Sequence, residues 1–349
     1  MAVYEVEPLK DETRWSELLR VQPMSSVFHT RAWLEALSAT YGYEVRALTT
    51  TKPGQALKNG LVFCRVKSWL TGSRTVSLPF SDHCQPLVDN AADLTVLVRA
   101  LEQDVSSRSS KYCELRPVAG LGGDISQEMG LAESAVFCLH TLDLRRSEEE
   151  LYRSFHKSCI QRKVERAERE GLCLQQGRSE TELNMFYNLL LLTRRRHQLP
   201  PQPLTWFRNL IKSFGDGLRI QLALKDGRPI ASILTLEHKN SVVYKYGCSD
   251  AEFHNLGGMP FLFWHAIRRA KERGAEVFDF GRSEIDNPGL ISFKDNWRGT
   301  RSNLVYYRHP SPLPQIGKKS NAEAARRTLS LMPDFCLKIA GRLLYRHVG

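Results

Sequence analysis

The chain has 349 residues, 42% of them hydrophobic, and a formal charge of +11. That is enough apolar material for two domains with real cores, and no apolar run approaches the ~18 residues of a membrane span. The charge calls for a polyanionic partner, whether a phosphate-bearing substrate, RNA or an anionic membrane face, and does not choose among them. The N-terminus, "MAVYEVEPLKDETRW", lacks a basic start followed by an apolar stretch, so no signal peptide is expected and a cytoplasmic location is. Eight cysteines are scattered with no CxxC pair. Buried, reduced thiols and no metal site are expected.

In chain order, residues 27–42 read as a helix stopped by Gly42. "EVRALTT", "NGLVFCRVKSWL" and "RTVSLPF" read as strands, 91–108 as a helix and "KYCELRPV" as a strand. Residues 147–171 read as one very basic helix. Ser147 and Glu150 form its capping box and Gly171 its stop. A second helix over 180–198 ends in Arg194, Arg195 and Arg196 and is broken by "LPPQP". "LRIQLAL", "IASILTLEH" and "SVVYKYGCS" alternate as three strands, joined by an Asp-Gly turn and a short Lys-Asn turn. "HNLGG" then leads into a helix over 259–274, followed by the strand "EVFDF". "HPSPLPQIGKKSN" reads as a linker, and 330–349 as a short basic amphipathic helix. Strands, helix and strand recur in the same order in each half, which implies duplication. The expected fold is α/β (α+β), two tandem units with mixed, mostly antiparallel sheets flanked by helices. Expected boundaries are 1–146, 147–308 and 309–349.

The tripeptide Asp279-Phe280-Gly281 matches the metal-binding word of protein kinases. A kinase also needs a Gly-rich phosphate loop, a strand lysine and a His-Arg-Asp loop upstream. None is present, and the match is accidental.

The words "SFHKSCIQRKVERAEREGL", "LLLTRRRHQLPPQP", "YKYGCSDAEFHNLGG" and "FDFGRSEIDNPGLISFKDNW" carry a resemblance. The chain resembles the FemAB/FemX aminoacyltransferases of the GNAT superfamily, in particular the FemAB-like proteins found with PEP-CTERM/exosortase exopolysaccharide systems. The similarity runs from about Phe28 to Tyr307. It implies two acyl-CoA N-acyltransferase-like units and transfer of an acyl or aminoacyl group to an amine or hydroxyl of a cell-envelope or exopolysaccharide precursor, linked to a nucleotide or a lipid. The donor stays open between acyl-CoA and aminoacyl-tRNA. The basic C-terminal helix suits contact with the inner membrane face. The rival from another class is a GNAT-like scaffold without catalysis, serving as a binding module in polysaccharide assembly.

The resemblance implies roles for particular residues. Lys294 in "ISFKDNW" would stabilise the developing oxyanion; a surface lysine paired with Asp295 is the plain alternative. Arg162 and Lys163 would hold substrate diphosphate, or form a solvated helix face. Gly257 and Gly258 would offer backbone N–H groups to a cofactor pyrophosphate, although "HNLGGMP" departs from the fuller signature of CoA-dependent GNATs; a tight turn fits equally. Asp279 would accept the amine proton or fix Arg282, itself a candidate phosphate or carboxylate ligand; the two also fit an ion pair. By alternation Tyr244 and Tyr246 share one side of the sheet and either line the substrate groove or complete a core edge. Asp82 and His83 sit in a turn near the groove.

Overall fold

The computed structural model describes residues 1–121, 123–310 and 333–348. The chain divides into two compact units. The first contains β1 (Tyr4–Val6), α1 (Glu12–Val21), α2 (Arg31–Tyr41), β2 (Glu44–Thr49), β3 (Leu61–Val66), β4 (Arg74–Val76), α3 (Ala91–Ser107), β5 (Cys113–Leu115), α4 (Gly123–Glu128) and the start of β6 (Ala132–Asp143). The second contains the rest of β6, α5 (Glu148–Ser154), α6 (Arg162–Arg169), β7 (Cys173–Gly177), α7 (Glu180–Arg196), α8 (Leu204–Phe214), β8 (Leu218–Lys225), β9 (Arg228–His238), β10 (Ser241–Ser249), α9 (Gly258–Glu272), β11 (Val277–Glu284) and α10 (Pro288–Asp295). Strand β12 (Thr300–His309) and helix α11 (Asp334–Val348) contribute residues to both. The division falls between Phe137 and Cys138, inside β6, and not at 146/147, and residues from Asn303 return to the first unit. Most of the expected linker, and residues 330–332 of the expected last helix, lie outside the described residues.

The repeat is plain in the topology. In the first unit β2, β3 and β4 pair antiparallel, α3 follows, and β5 returns parallel to β4. In the second, β8, β9 and β10 pair antiparallel, α9 follows, and β11 returns parallel to β10. A parallel return needs a long crossover, and the helix supplies it. Each unit is a mixed, mostly antiparallel sheet flanked by helices, as expected.

In the second unit the strands run β6-β11-β10-β9-β8-β7. Helix α9 covers one face. Its Phe261, Leu262, Phe263, Ile267 and Ala270 pack with Ala231, Ile233, Val242, Phe278 and Phe280. Helices α7 and α8 cover the other, where Phe186 and Phe207 stack edge-on and Phe207 meets Tyr246. The expected single helix over 147–171 is broken. Phe155 takes extended backbone and drives its ring against Trp264 and Trp297, so α5 ends there and His156 caps the turn leading to α6. Beyond Phe280, where the expected strand ends, β11 continues to Glu284 and α10 follows. All eight cysteines are free thiols. Cys64, Cys84, Cys113, Cys138 and Cys248 are buried as expected, whereas Cys173 and Cys336 are exposed.

Gly257 sets where α6 meets α9. It has φ +79°, and a Cβ there would lie 2.3 Å from the Lys163 carbonyl oxygen. Gly274 has the same φ with no neighbour within 4 Å of its Cβ position. Gly274→Ala should therefore cost only the left-handed backbone penalty, about 1–3 kcal/mol. Gly257→Ala should cost clearly more, because α6 must move. Thermal melting of the two variants side by side checks this, and equal melting points would remove the role given to the Lys163 contact.

Candidate active site

The site is built where two parallel strands part. Pairing of β10 with β11 covers Ser241↔Val277, Val242↔Phe278 and Val243↔Asp279. Past Val243, β10 stays paired with β9 as far as Ser249. Its register against β9 shifts between Tyr244 and Tyr246, so Lys245 is an extra residue in the ladder. On the other side of the parting, Gly281 interrupts β11 with φ +69°. Both strands change course just beyond their last shared pair.

Asp279 and Lys294 converge on this turn. The Asp279 Oδ1 accepts the Gly281 N–H at 2.7 Å, an Asx-type turn that stabilises the left-handed glycine. The Lys294 Nζ donates to the Gly281 carbonyl at 2.7 Å and to the Arg282 carbonyl at 3.1 Å. Lys294 is 1% exposed and Asp279 6%. Lys294 is therefore not a surface lysine paired with Asp295. It reaches inward from α10 because Phe293 and Trp297 anchor that helix against Phe263. A buried ammonium is costly unless hydrogen-bonded, and the turn supplies two strong acceptors.

Asp295 has another partner, one not anticipated from sequence. The Nε2 of His140 on β6 lies 3.0 Å from Asp295 Oδ1, and Arg301 is 3.3 Å from Oδ2. A carboxylate only accepts, so His140 carries its proton on Nε2. Among the described residues its Nδ1 is buried without a hydrogen-bond partner, as are Ser283 Oγ on β11 and Trp297 Nε1. Burial first, then the charges of Lys294 and Arg301, hold the imidazole below its usual pKa, against the pull of Asp295. The alternation His140-Thr141-Leu142-Asp143-Leu144 was the available signal for this strand.

A cavity of about 240 Å³ opens at the start of α9. Ile230, Ala231, Phe253, Met259, Pro260 and Phe293 give it mostly apolar walls, and Lys163, Ser249, Asp250 and His254 its polar ones. His254 Nε2 lies 2.8 Å from Ser249 Oγ. Burial, then the charges of Arg196 and Lys163, lower its pKa, with Asp250 opposing. Arg196 donates to the Ser249 carbonyl. Gly257 and Gly258 are both buried: the first presses on Lys163, and a Cβ on the second would meet Ala231 at 3.1 Å. Gly257 serves close packing, and Gly258 also lines the cavity.

The remaining candidates divide. Tyr244 packs on Phe263 with centroids 4.6 Å apart, on the α9 face beside the parting. Tyr246 lies on the other face, its hydroxyl accepting from Trp206 Nε1 at 2.8 Å. The expected shared face is wrong because the extra residue, Lys245, inverts the alternation. Arg162 begins α6 as an exposed residue, next to Lys163. The Arg282 guanidinium lies 3.9 Å from Glu284. Asp82 and His83 belong to the first unit. There the Asp82 carbonyl accepts from the Tyr306 hydroxyl, and His83 packs edge-on against Phe28. Beside them Cys84 Sγ lies 3.5 Å from His29 Nε2, but burial pushes the thiol pKa up, away from nucleophilic thiolate. Among the described residues no group of three or more His, Cys, Asp or Glu is placed to hold a metal ion.

His140 makes a signed prediction. Its pKa is lower folded than unfolded, so its contribution to stability is complete above the ordinary value of 6.5 and is lost as pH falls toward the folded value. The drop in unfolding free energy between about pH 7.5 and about pH 5 should be smaller in His140→Leu than in the parent chain. Chemical denaturation at the two pH values measures it; an unchanged drop would contradict the assignment.

Residues 154–289 match the model of the acetyltransferase (GNAT) domain. Over 150 residues the chain is 27% identical to the UDP-N-acetylmuramoylpentapeptide-lysine N(6)-alanyltransferase of Weissella viridescens, a match covering 42% of this chain and 43% of that protein. The crystal structure of FemX superposes with a TM-score of 0.70 at 15% identity, covering 88% of this chain and 97% of FemX. A tandem GNAT protein from the clavulanic acid biosynthesis pathway gives 0.57 at 13%, covering 89% and 100%. At these identities the structures establish the fold. The chain thus carries a stretch matching the GNAT acetyltransferase domain and is similar to an alanyltransferase over less than half of either chain, within a FemX-like fold.

Proposed function

We propose that the second unit transfers an aminoacyl group to an amine of a nucleotide- or lipid-linked cell-envelope peptide precursor. The observation that carries the reading is the parting of β10 and β11 at Val243 and Asp279, with a buried cation and a buried carboxylate tied to the turn beside it. A sheet edge between parting strands suits an extended, amide-bearing arm, which can bond to it as an added strand would. The alanyltransferase relative acts on a lysine amine of a UDP-linked peptide by its name, and that acceptor class is adopted here. A hydroxyl of an exopolysaccharide carrier is the second acceptor to test.

The reaction needs the reactants held close and the charge of the tetrahedral intermediate stabilised. The acceptor amine attacks the donor carbonyl, the new C–N bond forms and the donor's C–O bond breaks. The amine gives up a proton and the departing hydroxyl takes one. The buried charge of Lys294 stabilises the oxyanion, and Asp279 receives the amine proton while shaping the Gly281 turn. Tyr244 lines the groove. Lys163, Arg162 and Arg282 hold phosphate or carboxylate of the substrates.

For the donor, aminoacyl-tRNA is preferred because "HNLGGMP" departs from the fuller signature of CoA-dependent GNATs. The apolar cavity and Lys163 in its wall suit the aminoacyl end of a charged tRNA.

Two outcomes are expected. Lys294→Met should lower turnover by about 100-fold or more, the usual cost of removing one oxyanion-stabilising group, when assayed below the variant's melting temperature. A variant that still turns over like the parent chain removes Lys294 from the mechanism. Separately, charged tRNA should raise the melting temperature and acyl-CoA should not, since a ligand that binds only the folded state stabilises it. A rise with acyl-CoA alone would reverse the donor.

A further inference from the structure

Helix α11 is amphipathic twice over. Its inner side is occupied: Leu337 is 1% exposed, and Gly341 lies so close to the Pro201 carbonyl that a Cβ would come within 2.0 Å. Its outer side carries Phe335, Ile339 and Leu343, exposed by 72%, 42% and 62%. Four-residue spacing aligns these three in one ridge. The same spacing continues to His347, whose ring takes Trp69 edge-on at 5.4 Å. Trp69 is 86% exposed and its neighbour Leu70 51%. Three residues on from each ridge position stands a cation: Lys338, Arg342 and Arg346, all exposed. An apolar ridge and a cationic ridge thus run side by side along one helix.

We propose that this outer face docks on the surface of an anionic lipid bilayer, with the Phe335-Ile339-Leu343 ridge entering the headgroup–acyl boundary and Lys338, Arg342 and Arg346 meeting lipid phosphates. Charge complementarity selects this occupant. A second copy of the chain would bring like-charged ridges together, on molecules of net charge +11. A nucleic acid would engage the cations and leave Ile339 and Leu343 in water. A bilayer of anionic lipid satisfies both ridges at once. No helix among the described residues is long and apolar enough to cross a membrane, so the contact is peripheral. The proposal does not depend on the acyl-transfer reading.

The test is co-sedimentation of the full chain with phosphatidylcholine vesicles containing about one-third phosphatidylglycerol. The parent chain should pellet with these vesicles and several-fold less with pure phosphatidylcholine. Phe335→Ser/Leu343→Ser and Arg342→Glu/Arg346→Glu should each weaken binding about tenfold or more, and because the altered side chains are exposed, melting temperatures should hold. Failure to pellet with the anionic vesicles, equal pelleting with neutral ones, or binding unmoved by both variants would overturn the proposal. So would a dimer in lipid-free light scattering that Phe335→Ser/Leu343→Ser dissolves, since the face would then be a self-interface.

Discussion

The turn at Gly281 depends on one buried charge. Lys294 leaves water to donate to the carbonyls of Gly281 and Arg282, and Asp279 takes the N–H of the same glycine. Desolvating an ammonium is expensive, and only well-placed acceptors offset it. The left-handed turn, the end of pairing between β10 and β11 and the docking of α10 therefore stand or fall together. Remove the cation, and two carbonyls are left without that donor inside the fold.

The aromatic cluster around Phe263 makes that geometry rigid. Phe263 contacts Phe278, Phe280, Phe293 and Trp297, drawing α9, α10 and β11 into one packed layer. Trp297 and Phe155 extend the layer to the segment before α6. A site built on such a layer holds its groups in fixed relative positions, which a reaction driven by proximity and charge placement requires. His140 and Asp295 tie β6 to the same helix by a hydrogen bond, and burial beside Lys294 and Arg301 makes protonation of that imidazole in acid unfavourable.

The duplicated architecture explains how such a site arises. Both units cross from one antiparallel strand to a parallel partner by way of a helix, α3 in one and α9 in the other. In the second unit an extra residue at Lys245 and a left-handed glycine at Gly281 open the parallel pair. Local irregularities of this kind, placed on a regular scaffold, separate a binding edge from a plain sheet.

The alternation in 218–249, the helical stripe after Gly258 and the strand ending in Phe280 were legible because their periods survive in sequence. So was the resemblance to acyltransferases, through words around Arg162 and Lys294, and so was the basic C-terminal helix. Strands β1, β6, β7 and β12 and helices α1, α4, α8 and α10 were not read, and His140 was missed with β6. The facing of Tyr246, the inward reach of Lys294 and the pairing of Asp295 were likewise beyond sequence. Each depends on a contact between residues far apart in the chain: a one-residue bulge set by pairing with β9, two carbonyls thirteen and twelve positions upstream, a histidine 155 residues away. Periodicity reports which face of an element is apolar. Which polar atom meets which is decided when elements pack, because only then does desolvation force every buried charge to find its partner.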